Sequence, residues 1–142
     1  MHNAFKHINI YGVFYYIMAM FDSVDSRDIE RICSMKEKEC NRDGMAIQIA
    51  VKRLIKRPER KKCLLVISDG KPNNGDYRGK IAVKDIQETV RNAKKHNVEI
   101  IPVAIGSDKE EIEMIYGKFI DITDLNRMPK QLLKFLKRRI FR

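Results

Sequence analysis

A Rossmann-like, three-layer α/β domain with a mainly parallel central sheet covered by helices on both faces is the fold class the sequence predicts. Three observations carry it. From residue 43 onward the pattern runs helix, strand, helix, strand, helix, strand, helix, the alternation of a parallel sheet wrapped by its connections. Residues 62–68 and 98–105 are short apolar runs bounded by charges and turn residues, as in strands buried on both faces. The chain has 142 residues, 44 % hydrophobic and 34 % charged, enough for one domain with a core that needs no staples.

In chain order, residues 8–17 are rich in β-branched and aromatic side chains and predict a strand, or two with a bend at Gly12. Asp25 or Ser26 then caps a helix to about Lys38, with Ile29, Ile32, Cys33 and Met35 as its apolar positions. After a polar break at residues 39–42, a helix spans Asp43 to about Lys56. Its apolar residues cover most of the circumference, so it should be well buried, and Pro58 ends it. Residues 62–68 are the first buried strand, and residues 72–76 form a loop by composition. A helix from Ile81 to Lys95 carries Val83, Ile86, Val90 and Ala93 on one stripe, with Asn97 suited to its C-terminal cap. The strand at 98–105 contains Pro102, which lacks an N–H and argues for a place near an edge or a bulge. Asp108 caps a short helix to Tyr116, residues 119–122 form a last short strand, and Pro129 opens a final helix to about Phe141.

Composition bounds the function. Lys and Arg number 29 against 19 Asp and Glu, a net charge of +10 that favours anions without saying which. Cys33, Cys40 and Cys63 are odd in number and form no C-x-x-C pair, so no disulfide framework or zinc site follows; Cys63 reads as a small core residue, and a reducing, cytoplasmic compartment is expected. The uncharged stretch at residues 8–21 is too short to span a bilayer, and no cleavage site follows it. His2, His7 and His96 are scattered and make no hydrolytic triad, so no catalytic constellation is expected. Gly70, Gly75 and Gly79 lack the Gly-Lys-Ser/Thr of a phosphate loop.

The segment to watch is Val66-Ile67-Ser68-Asp69-Gly70-Lys71-Pro72. It sets a carboxylate directly after a buried strand, where ligands of parallel sheets bind, and Gly70 lets the backbone turn there. A carboxylate beside hydroxyls is a hard oxygen site suited to Mg²⁺ or Mn²⁺, although Ser-Asp-Gly alone also reads as an Asp closing a turn.

That segment, together with Asn41-Arg42-Asp43-Gly44-Met45-Ala46-Ile47 and the basic stretch between, resembles the von Willebrand factor A domain, in the branch found at the C-termini of cobalt-chelatase subunits and nitric-oxide-reductase activation proteins. The resemblance covers residues 8–140. It implies a metal-ion-dependent adhesion site with Asp69 as one ligand and Asn41 in the place of the family's Thr. Asp43 is either a second acidic group there or a first-turn helix residue. Ser68, Gly70 and Lys71 would then face a partner. The family's Asp-x-Ser-x-Ser is absent; Asp22-Ser23-Val24-Asp25-Ser26 has the wrong spacing and follows the wrong strand. The resemblance therefore also implies a single domain over 1–142 that lacks the usual first strand and helix, and an incomplete site that binds the cation weakly. To fill the gap, residues 8–21 are expected to move into the central slot beside residues 63–67; otherwise a second chain supplies the strand, giving a dimer.

The expected function is a protein-interaction module without catalysis of its own, partnering an AAA+ ATPase of the chelatase or MoxR type, or that ATPase's substrate. Two alternatives come from the residues themselves. One is a basic nucleic-acid-binding domain, non-specific and salt-sensitive because no recognition motif accompanies the charge. The other is a small Mg²⁺-dependent enzyme using Asp69. Lys56, Arg57, Arg60 and Lys61, in the densest basic run, are the anion-binding candidates, with a solvated helix face as the plainer reading.

Overall fold

The computed structural model describes residues 6–10, 13–36, 41–70, 72, 75–107 and 109–140. Lys71, Cys40 and Asp108, which the sequence nominated for partner binding, a free thiol and a helix cap, lie outside them. The chain divides into two units, Met1–Asn41 and Arg42–Arg142.

In the first unit, β1 (Lys6–Ile10) pairs antiparallel with β2 (Val13–Ile17), in the register Lys6↔Ile17 to Ile10↔Val13. Among the described residues the expected pairing of residues 8–21 with residues 63–67 is not found: β1 and β2 pair with each other. The reason is local. Two strands a couple of residues apart satisfy their backbone groups with almost no loop-closure cost, whereas insertion into a distant sheet must close a long loop first. Helix α1 (Arg27–Cys33) is shorter than the sequence pattern, and none of its residues is buried. Ile29, on the predicted apolar stripe, is 71 % exposed. Without a packed face a helix has little to extend it, and the Ser34 amide and hydroxyl close its end by donating to Glu30 O and Arg31 O. Arg31 Nε donates to Met18 O at 2.7 Å, and its guanidinium pairs with Asp25 and Asp28, tying α1 to the segment after β2.

In the second unit the order is α2 (Asp43–Ile55), β3 (Lys62–Ser68), α3 (Gly79–Lys95), β4 (Val98–Ala104), α4 (Lys109–Tyr116), β5 (Ile120–Asp121), a 3-10 turn (Leu125–Arg127) and α5 (Met128–Ile140). The strands form one parallel sheet, β3-β4-β5, running Lys62↔Val98 to Ser68↔Ala104 and then Val103↔Ile120. Helix α3 packs against α2, α4 and β4. Ile47 and Val51 of α2, Ile86 and Ala93 of α3, Val98 of β4 and Ile115 of α4 make one core cluster. Side chains alternate along a strand, so Ile101 and Val103 sit on the opposite face of β4 from Val98, and they too are buried. Both faces of β4 are covered, as a three-layer α/β/α arrangement requires.

Two expectations about the strands change. Of the two strands expected to be doubly buried, β4 is and β3 is not: β3 is half-buried, with Ile67 48 % exposed, and among the described residues it pairs only with β4. Pro102 lies in the middle strand rather than at an edge. Backbone groups of alternate residues face alternate neighbours. The Ile105 amide bonds to Ser68 O and the Ile122 amide to Ala104 O, so even-numbered residues of β4 face β5. β5 pairs only with Val103 and Ala104, and the missing N–H of Pro102 falls where that ladder has barely begun.

Candidate functional site

The carboxyl ends of the parallel strands carry the candidate site. β3 ends at Ser68, and Asp69 follows it, exposed. Gly70 has φ 122, in a region open to glycine, so the chain turns there as the sequence predicts. The Gly70 amide donates to Ser68 Oγ at 3.2 Å, which holds the turn. A Cβ on Gly106, just beyond β4, would stand 4.0 Å from Asp69 Cβ, so the β4–α4 connection borders the carboxylate.

Asp43 begins α2, near enough for the charge of Asp69 to act on it. Its pKa is raised, first by burial and then by the charge of Asp69. The Asp43 charge also contributes to raised pKa values at Tyr77 and Tyr116; burial is the larger cause for both. Two carboxylates separated by 26 sequence positions therefore share one end of the sheet. Asn41 precedes α2 by two residues. Ser68 adds a hydroxyl oxygen, and every donor in the set is hard oxygen, which suits Mg²⁺ or Mn²⁺. Among the described residues no three His, Cys, Asp or Glu side chains gather as a metal cluster.

The start of α2 is fixed from a distance. The Gly44 amide donates to Tyr77 Oη at 3.1 Å, and Tyr77 Oη donates to Asp85 Oδ2 of α3 at 2.6 Å. The Arg42 guanidinium lies over the Tyr77 ring, 5.1 Å from its centroid, and its Nε is buried without a hydrogen-bond partner among the described residues. The sequence did not single out Tyr77, Asp85, Arg42 or Gly106. Only Gly44 left a sign: a glycine in the first turn of a helix gives up stability unless something approaches closely.

The raised Asp43 pKa has a consequence for stability. An acid whose folded pKa lies above its unfolded value contributes stability at low pH, and that contribution is lost as pH rises through the folded pKa. Asp43→Asn is expected to stabilise the protein at neutral pH, with the gain disappearing below the ordinary carboxylate range of about pH 4. Urea unfolding of both proteins across that range checks it; a gain that persists in acid would show that charge is not the cause.

The anion-binding candidates separate. Lys56 is exposed at the end of α2, and Arg57 pairs with Glu59 at 2.7 Å. Arg60 and Lys61 line a cavity at the amino ends of β3 and β4. Cys63, expected in the core, is half-buried and lines the same cavity.

Comparison with known proteins identifies the family. The von Willebrand factor type A domain family matches residues 11–128. The chain is 36 % identical over 114 residues to the uncharacterized protein YojO of Bacillus subtilis, covering 75 % of this chain and 18 % of that one. It is 29 % identical over 106 residues to protein NorD of Brucella suis, covering 72 % and 17 %, and 36 % identical over 81 residues to protein NorD of Stutzerimonas stutzeri, covering 56 % and 13 %. The chain thus spans under a fifth of the length of these relatives. No solved structure gives a significant match. Among the described residues no helix is long and apolar enough to cross a membrane. With a parallel sheet between helices, a Ser-Asp-Gly turn at its carboxyl end and a matched stretch spanning both units, the chain belongs to the von Willebrand factor type A domain family, in a branch that includes the NorD proteins.

Proposed function

We propose that this chain is a protein-docking module that works through a weakly held divalent cation, Mg²⁺ or Mn²⁺, and has no catalysis of its own. Domains of this family generally mediate protein interactions, and an interaction role is the coarse function that the family match supports. The carrying observation is the placement of two acids at the carboxyl end of the sheet, Asp69 directly after β3 and Asp43 at the start of α2; burial first, and then the charge of Asp69, raises the Asp43 pKa, and a cation would relieve the second of these. Asp69 would be the principal ligand, with Asp43 and, as the family resemblance implies, Asn41 as further ligands, and Ser68, Gly70 and Lys71 would face the partner. The bound cation would supply positive charge for a partner's carboxylate. We further propose that the partner is an AAA+ ATPase of the chelatase or MoxR type, or its substrate, and that the setting is cytoplasmic.

The test is calorimetric titration with Mn²⁺ and Mg²⁺. Mg²⁺ dehydrates reluctantly and wants near-octahedral oxygen ligation, so binding in roughly the millimolar range is expected. Asp69→Ala should weaken it by about tenfold or more, the loss of one charged ligand. Adding Mn²⁺ or Mg²⁺ should also lower the Asp43 pKa. Unchanged affinity in Asp69→Ala would overturn the site, and sub-micromolar affinity would overturn its incompleteness. Capture of the ATPase that survives both chelation and Asp69→Ala would overturn the cation's role in docking.

A further inference from the structure

At the end of the sheet opposite Asp69 lies a cavity of about 340 Å³, where β3 and β4 begin and α3 ends. The length of β3 separates the two sites by about 20 Å. Four cationic residues line this cavity from two parts of the chain: Arg60, Lys61 and Lys62 from the entry to β3, and Lys94 from the last turn of α3; of these, the Lys62 ammonium also donates to Ile55 O at 3.2 Å. One carboxylate, Glu99, accompanies them. The negative pole of α3 ends here too, and Lys95 in the same last turn offsets it. Asn97 forms the tight link between α3 and β4 with φ 56, a left-handed conformation that asparagine tolerates, and so brings Lys94 back beside the first residues of β3.

We infer that this cavity is a binding site for a small polyanion carrying two or more phosphate groups. Four cations brought into one concavity repel one another, and the single carboxylate leaves a surplus of positive charge that a multiply charged anion neutralises. The volume suits one small ligand, near the lower end of ordinary ligand pockets. A nucleic-acid strand fits less well, because it needs cations spaced along an extended groove with aromatic rings to stack on. Here the basic run is divided: Arg57 is paired with Glu59, and Lys56 does not line the cavity. The inference is independent of the cation site.

The test uses inorganic pyrophosphate at low ionic strength, followed by calorimetry. The double variant R60Q/K94Q changes two exposed side chains at the cavity, and K134Q/K137Q removes the same charge from exposed positions of α5. Pyrophosphate affinity is expected to fall by about tenfold or more in the first, the loss of two charge-assisted contacts, and to change by less than about twofold in the second. Pyrophosphate should also slow alkylation of Cys63 relative to Cys33, read by peptide mass spectrometry, because Cys63 lines the cavity and Cys33 does not. Thermal melts confirm that the variants fold, and K94Q alone serves if the double variant does not. Equal losses in the two double variants would mean diffuse attraction to net charge and would overturn the site. So would an unprotected Cys63, or a single-stranded RNA oligomer that displaces pyrophosphate and shows the same dependence on Arg60 and Lys94 at higher affinity.

Discussion

Gly44→Ala is expected to destabilise the Arg42–Arg142 unit by about 2–4 kcal/mol, although alanine is the better helix former. In an ordinary helix the exchange would gain up to about 1 kcal/mol. At this position a Cβ would fall on Asp85 Oδ2 and within 2.5 Å of Tyr77 Oη. Both groups are tethered, Tyr77 Oη by its bonds to the Gly44 amide and to Asp85, so neither can turn away without breaking a bond. Overpacking of this kind costs about 1–3 kcal/mol, and a buried donor left unsatisfied adds about 1–3 kcal/mol. The helix preference recovers part of that. Urea unfolding measures the effect as a lower midpoint with an unchanged slope, and a midpoint at or above that of the parent would show that the helix start shifts freely to admit the methyl group. Because Gly44 follows Asp43, the same variant should also weaken the proposed Mn²⁺ binding.

Tyr77→Phe is expected to cost about 1–3 kcal/mol. It keeps the ring beneath Arg42 and removes only the hydroxyl, so the comparison isolates two hydrogen bonds: the one accepted from the Gly44 amide and the one donated to Asp85. The second is charge-assisted and short, at 2.6 Å, and belongs to the stronger class. A double-mutant cycle with Asp85→Asn separates them. If the two losses simply add, the Tyr77–Asp85 bond contributes nothing and the effect lies in the Gly44 amide alone.

What the sequence could reveal follows the range of the forces involved. β3 was legible to the residue, because a continuous apolar run between Lys62 and the Ser68-Asp69-Gly70 turn is a local pattern. α2 was equally legible, since its burial shows in the spacing of Ile47, Val51 and Leu54. Helix α1 was overextended, because an apolar stripe at Ile29 and Ile32 predicts a packed face and cannot say whether anything packs there. The hairpin was misplaced for the converse reason. Analogy with a complete sheet outweighed the low entropic cost of pairing neighbours, yet β1 and β2 satisfy each other. Of the candidate site, Asp69 was legible from the strand and glycine that flank it. Its nearness to Asp43 rested on resemblance, because it depends on how α2 packs on the sheet. Tyr77 and Asp85 gave no signal. Their bonds join loop to helix start and loop to the next helix, and no periodicity encodes such contacts. The charge around Arg60 was legible, and Lys94, 34 positions later, was not.

The Tyr77 hydroxyl also sets an order of assembly. Its bond to the Gly44 amide closes 33 positions of chain, and its bond to Asp85 closes eight more. Contacts of such separation form only after the intervening chain has given up its freedom. Asp43 can therefore begin a helix early, but its carboxylate cannot take its final bearing until β3 is laid down and the first turns of α3 have docked. On a ribosome, where the chain emerges from its N-terminus at about 5–20 residues per second, the start of α2 would take its final place only after Asp85 has emerged, well after the helix that bears Asp43.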